Sequence, residues 1–194
     1  MARMNGAIIY LIGFSGCGKR TIAKEIQKRI DCIVVDNHLI NNVIFSLIDP
    51  DGKSKLPAAV WNNVHRVRSA AFDTIRDLGK PGRIFVLTNV LMEGDEEDRL
   101  WFEEVVQLAR DRDAHFLPVR LTITPEELAR RVVSEGRAEQ FKETDPIAAI
   151  AKAKRWEVLR SRDHAMLEVD VSAMTADGVA AIVIDRLHST EAQS

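Results

Sequence analysis

The chain has 194 residues, 46% of them hydrophobic, with 27 Lys and Arg against 29 Asp and Glu for a net charge of −2. That length suits one compact α/β domain with a substantial core. It carries no basic excess of the kind that marks a nucleic-acid binder, no disulfide or zinc spacing around its two cysteines, and no apolar run near the roughly 20 residues that span a bilayer. The stretch before the first Gly-rich loop is too short for a signal peptide, so the expectation is a soluble cytoplasmic protein without nucleic-acid or membrane partners.

In chain order, "AIIYLI" (7–12) is a continuous, β-branched apolar run and predicts a strand buried on both faces. "GFSGCGKRT" (13–21) follows at once. Ile22, Ala23, Ile26 and Ile30 then recur at helical spacing between charged residues, predicting an amphipathic helix. "CIVV" (32–35) predicts a second buried strand, ended by Asp36. Residues 38–48 suit a short helix, 49–55 a turn, and 57–78 a long amphipathic helix stopped by "GKPG". "RIFVLTNVL" (83–91) predicts a third strand, and 94–113 a helix with acid at its start and Arg110 and Arg112 at its end, matching the helix dipole.

"HFLPVRLTIT" (115–124) predicts a fourth strand, with Pro118 suggesting an irregular start. Thr124, Pro125 and Glu127 read as N-cap, first helical residue and the acidic half of a capping box. Residues 134–146 are polar, 147–161 predict a helix, 164–170 a fifth strand and 175–188 a closing helix. Strands alternating with helices imply an α/β fold with a mostly parallel five-stranded sheet. Residues 1–188 read as one domain, with 37–82 as an insert for substrate recognition, a lid near 134–146 and a flexible tail at 189–194. Ligands in such sheets bind beyond the carboxyl ends of the strands, so the Gly-rich loop, Asp36, Thr88, Asn89 and residues 170–172 are expected on one rim.

The Gly-rich loop carries the chemistry. Its glycines let successive N–H groups point inward around a phosphate, the following helix adds its positive end, and Lys19 is placed to reach the outer phosphates. Gly13, Ser15, Gly16, Cys17, Gly18, Lys19, Arg20 and Thr21 are the candidate nucleotide-binding residues. Arg20 stands where the G-x-x-x-x-G-K-[ST] pattern puts the hydroxyl that binds magnesium.

Gly13-x-x-Gly16-x-Gly18-Lys19-x-Thr21 resembles the loop of the P-loop small-molecule kinases, the group of adenylate, shikimate and gluconate kinases. "TITPEELARRV" resembles the segment leading into their lid, and "LEVDVSAMTADGVAAIVIDRL" their last strand, base-contacting loop and final helix. The resemblance covers most of the chain and is weakest over 38–82. It implies a three-layer α/β/α P-loop fold that uses ATP and Mg²⁺. Adenylate kinases resemble this loop in having a glycine and then threonine after the lysine, with magnesium held mainly by phosphates and waters. That likeness implies that Thr21 contacts the α-phosphate side and that a missing hydroxyl need not end catalysis.

Phosphoryl transfer needs positioned charge more than covalent chemistry from the protein. Asp36 is the acidic candidate, to accept a substrate proton or to hold a magnesium-bound water; the alternative is an N-cap for the helix after it. "FVLTNVL" ends without an acid, leaving Thr88 and Asn89 as substrate contacts or strand-end caps. Arg131 and Arg137 are candidate lid arginines completing the catalytic set with Lys19 and Asp36, and of the adjacent Arg130 and Arg131 only one is expected to face the site. Lys142 belongs to the same basic stretch. Arg66 and Arg68 read as a solvated helix face, His38 and His65 as structural histidines, and the acidic run 95–98 as helix-start electrostatics.

The function expected is transfer of the ATP γ-phosphoryl to a small-molecule acceptor, a metabolite or nucleotide, by a monomer or small homo-oligomer. The alternative is a regulatory ATP-binding or ATP-hydrolysing protein. A guanine-reading N-K-x-D-like motif is absent, which favours adenine.

Overall fold

Six successive apolar residues form β1 (Ala7–Ile12), and each is essentially buried. A computed structural model describes residues 6–50, 54–133 and 145–191. β1 pairs in parallel with β3 (Ile84–Asn89) on one side and β4 (His115–Thr122) on the other, which explains its burial on every flank. β2 (Cys32–Asp36) adds outside β3 and β5 (Leu167–Asp170) outside β4, giving the order β2-β3-β1-β4-β5 with every pair parallel.

The helices are α1 (Lys19–Arg29), α2 (Asn37–Ile48), α3 (Ala58–Leu78), α4 (Glu96–Asp111), α5 (Pro125–Val132), α6 (Pro146–Arg155) and α7 (Ala176–Glu191). They complete a three-layer α/β/α arrangement in which α1 packs on α7, while α4 packs on β1 and β4. Phe102 of α4 stacks on Tyr10 of β1, with ring centroids 6.0 Å apart, and meets Phe116 of β4 edge-on. Ile40, Phe45 and Val64 form a second, smaller cluster between α2 and α3.

Four local expectations change. β2 is an edge strand, so Ile33 is 44% exposed rather than buried. Pro118 lies within regular β4, paired with Tyr10; β5 joins only from Val119, so one flank at Pro118 needs no ladder donor. The helix expected over 147–161 stops at Arg155. Beyond it an extended strap lies against the segment after β3: Glu93 N–H donates to Glu157 O and Leu159 N–H to Leu91 O, each at 2.9 Å. Finally, α7 continues into the expected tail, and the Thr190 hydroxyl lies 3.1 Å from His115 Nε2.

The chain leaves β1 through Gly13, which is seated closely enough that a Cβ there would lie 2.8 Å from Cys17 Sγ and 2.9 Å from Leu121 O. Gly13→Ala is therefore expected to destabilise the fold by about 1–3 kcal/mol, because the obstacles are a buried side chain and fixed backbone. Thermal unfolding of the variant measures this, and an unchanged midpoint would contradict it.

Candidate functional site

At the carboxyl end of β1 the loop closes on itself before α1 begins. Gly13 N–H donates to Asn89 O at 3.3 Å and Cys17 N–H to Phe14 O at 3.2 Å. Gly16 and Gly18 take φ values of 100° and 98°, which side-chain-bearing residues resist, and Gly18 is the N-cap of α1. Lys19 is 8% exposed and folds over the loop, donating to Gly13 O at 2.7 Å and Phe14 O at 2.8 Å. Ser15, Gly16, Gly18, Lys19, Arg20 and Thr21 line a cavity of about 1070 Å³. Gly13 and Cys17 do not; the Cys17 side chain is fully buried in the core.

Asp36 sits across the cavity mouth, where β2 ends and α2 starts, and is 3% exposed. Its Oδ1 accepts from His38 N–H at 3.1 Å and from the Thr88 hydroxyl at 3.2 Å, and lies 3.0 Å from His38 Nδ1. Its Oδ2 faces Arg20 Nε at 3.4 Å. Asp36 is thus both a helix cap and a member of the cavity wall. With His38 Nδ1 as the donor to Asp36, His38 Nε2 is left to accept a proton. His38, read from sequence as merely structural, therefore shares the cavity with its carboxylate partner.

These residues do not fit a magnesium ion held by the protein. The loop hydroxyl is replaced by a guanidinium, Asp36 Oδ1 is occupied by donors from α2 and β3, and Oδ2 faces Arg20. The mismatch concerns direct ligation; a magnesium-bound water needs no Asp36 oxygen as a metal ligand. Among the described residues no group of three or more His, Cys, Asp or Glu is placed to hold a metal.

Thr88 and Asn89 are buried as β3 ends and are bonded as strand-end caps: Thr88 Oγ1 accepts from Asn37 N–H at 3.1 Å, and Asn89 Nδ2 donates to the Tyr10 hydroxyl at 3.2 Å. Both also border the cavity. Residues 170–172 are not part of its lining, although Met174 and Ala176 just beyond them are.

Arg131 reaches the loop as a strut. Its Nη1 donates to Cys17 O at 3.3 Å, its Nη2 to Val171 O at 2.7 Å and its Nε to Glu127 Oε1 at 2.6 Å. Arg130 also pairs with Glu127, at 2.7 Å, and both arginines border the cavity, so the expectation of a single inward arginine is corrected. One carboxylate gathers them both. The bonds from Arg130 and then Arg131 hold the Glu127 carboxyl down at about 2. Glu127 therefore does not close the capping box; the Thr124 N–H donates to Ser172 Oγ at 2.9 Å instead. Arg137, Lys142 and residues 134–144 of the expected lid lie outside the described residues.

On the far side of the cavity, Arg68 corrects the solvated-face reading. It is 3% exposed, lies 3.7 Å over the Trp101 ring and pairs with Glu104 at 2.7 Å, and burial lowers its pKa. Trp101, Trp61 and Phe45 give this wall its aromatic surface, and His65, paired with Glu104 at 3.2 Å, lies outside it. Sequence reasoning also misses Asn41, which is 8% exposed and borders the cavity with no hydrogen-bond partner for its Oδ1 among the described residues. The available signal is its place four residues from both Asn37 and Phe45, on one face of α2.

No protein-family model and no curated protein matches the chain. Solved structures do. It is similar to a gluconokinase from Sinorhizobium meliloti with TM-score 0.62 and 15% identity, covering 99% of each chain. It is similar to a thymidylate kinase from Candida albicans with TM-score 0.64 and 17% identity, covering 96% of this chain and 93% of that one. It is also similar to an APS kinase from Mycobacterium tuberculosis, solved with AMPPNP and APS, with TM-score 0.57 and 18% identity, covering 95% of this chain and 99% of that one. The fold is that of the P-loop small-molecule kinases, as the loop resemblance implies.

The acidic run is used as the dipole argument expects. Asp95 caps α4 by accepting from Glu97 N–H and Asp98 N–H, and Asp98 accepts from Met92 N–H at 2.7 Å. Burial, its largest cause, raises the Asp98 pKa to about 6. The folded state then binds that proton more tightly than the unfolded chain. Its cost is absent below the ordinary value of 3.8, grows as pH rises and is complete above about 6. Asp98→Asn keeps an acceptor for Met92 and removes the charge. It is expected to raise the thermal midpoint at about pH 8 and to flatten the pH dependence between about 4 and 6. Midpoints measured across pH for both proteins check this, and a lower midpoint at high pH would reverse it.

Proposed function

We propose that the chain is an ATP-dependent phosphotransferase that moves the γ-phosphoryl to a small-molecule acceptor. The observation that carries this reading is the continuity of one cavity, from the glycine loop and Lys19 to the Asp36, Asn41 and Trp61 wall. A triphosphate seated on the loop would point its outer phosphate toward the second region, which is large enough for a separate small molecule.

In this reading Gly16 and Gly18 cradle the inner phosphates with backbone N–H groups, and Lys19 leaves its loop carbonyls to follow the phosphoryl group as a mobile point charge. Asp36, held by its cap bonds, orients the acceptor hydroxyl and takes up its proton, directly or through His38. Arg131 fixes the loop against the end of β5 and adds positive charge beside it. The kinases of like fold support the class of reaction, and the acceptor itself is to be found by experiment.

The direct test is a screen of metabolites and nucleotides for acceptor-dependent ATP consumption, followed by the mass of the phosphorylated product. Consumption of ATP independent of any acceptor would instead favour the hydrolase or regulatory reading. Lys19→Ala is expected to abolish ATP binding or turnover, and normal turnover by that variant would exclude the mechanism. Asp36→Asn keeps a good N-cap residue. It is expected to retain nucleotide binding and lose transfer by about a hundredfold or more, as removal of a proton acceptor does. Unchanged transfer would reduce Asp36 to a cap.

A further inference from the structure

A second, much smaller cavity lies behind the aromatic wall. Its volume is about 20 Å³, enough for one atom-sized guest. Asn37, Thr88, Asn89 and Trp101 border both this cavity and the main one, so a single wall separates the two. Tyr10 of β1 and Arg68 of α3 line the small cavity and not the main one.

Both of these residues bring hydrogen-bond donors to it. The buried Tyr10 hydroxyl accepts from Asn89 Nδ2 at 3.2 Å, and its own proton has no acceptor among the described residues. Burial pushes the Tyr10 pKa above its ordinary value, so that proton stays in place. Arg68 is engaged on two sides: its guanidinium face lies on Trp101, and Nη2 is 2.7 Å from Glu104 Oε2. Its Nε and Nη1 are buried without a hydrogen-bond partner among the described residues. Other polar groups of the lining are already used. The Thr88 hydroxyl donates to Asp36, and Asn89 Oδ1 accepts from Val90 N–H. The Asn37 amide can add one more N–H, and the remaining lining is apolar. Such surroundings suit a guest that only accepts. A water would bring two protons of its own to place, whereas an anion brings none.

We infer that this cavity is a monatomic anion site, in which chloride is held by Arg68 Nε and Nη1 and by the Tyr10 hydroxyl. The inference stands apart from the phosphotransferase reading and does not depend on it. Glu104 does not supply this charge, because it meets Nη2 only and its other oxygen is shared with His65. A guanidinium and a phenol replace the water that the ion gives up, which makes its burial tolerable. The ion in turn fixes the guanidinium in its stacked position and keeps Trp101 in the wall of the main cavity.

The test uses the whole chain, with bromide as the first probe. Crystals grown in sodium bromide are expected to show an anomalous-scattering peak within hydrogen-bond distance of Arg68 and Tyr10. Density there without an anomalous signal would mean a water and would overturn the inference, as would no density at all. In solution, the thermal midpoint should be higher in sodium chloride than in sodium methanesulfonate at equal ionic strength, since the larger anion does not fit. The difference should grow with the logarithm of chloride concentration. Equal midpoints in the two salts would contradict a site occupied in solution. Tyr10→Phe keeps the ring and removes one donor, and is expected to weaken chloride binding by about tenfold or more. Arg68→Met should abolish the chloride-dependent rise, and a rise that persists in it would place the ion elsewhere. Should Arg68→Met unfold, the wild-type crystals and Tyr10→Phe still decide the matter.

Discussion

Burial of β1 on both faces and along both edges is the constraint from which the site follows. A strand flanked by β3 and β4 has no exposed side, so the chain can leave it only at its carboxyl end. There it must turn at once into α1, under Leu121 and against Cys17, where only glycine fits. The tight turn and the left-handed Gly16 and Gly18 make a concave run of backbone ending at a helix N-terminus. The same feature that completes the core thereby creates a phosphate-shaped opening, and no separate scaffold is needed to hold it.

The other wall is built by the same economy of contacts. β2 and β3 end together, with Asp36 paired to Thr88 across the ladder, and the cap of α2 is the carboxylate that faces Arg20. Helix start, strand end and charged site thus share one buried group. Farther out, the guanidinium of Arg68 supports Trp101 from behind and is balanced by Glu104. A buried arginine is tolerable there because a π face and a carboxylate replace its water. The aromatic wall gains rigidity without placing that charge at the cavity surface.

Much of the architecture is legible in the sequence because its signals are local. Apolar runs mark β1, β3 and β4, helical periodicity marks α1 and α3, end charges mark α4, and the cap at Thr124 lies where residue type predicts it. The misreadings share a cause. Ile33 is exposed because β2 has one neighbour, Pro118 is accommodated because β5 starts one residue later, and α6 ends at Arg155 because the strap beyond it finds partners in Leu91 and Glu93. Each depends on which strand or segment lies alongside, information that periodicity does not contain.

By itself the sequence determined the phosphate loop and the α/β alternation, since glycine conformations and apolar periods are properties of neighbouring residues. It also marked Asp36 as the acid to watch and Arg20 as the departure. Only the tertiary structure decided that these two face each other, that Arg131 braces the loop against Val171, that Arg68 is buried and that Asn41 and His38 turn into the cavity. Arg20 and Asp36 lie on different elements, and only strand pairing brings the ends of β2 and β3 beneath the first turn of α1. Charge pairing across such distances in the chain is set by the sheet order, and the sheet order is a property of the whole fold.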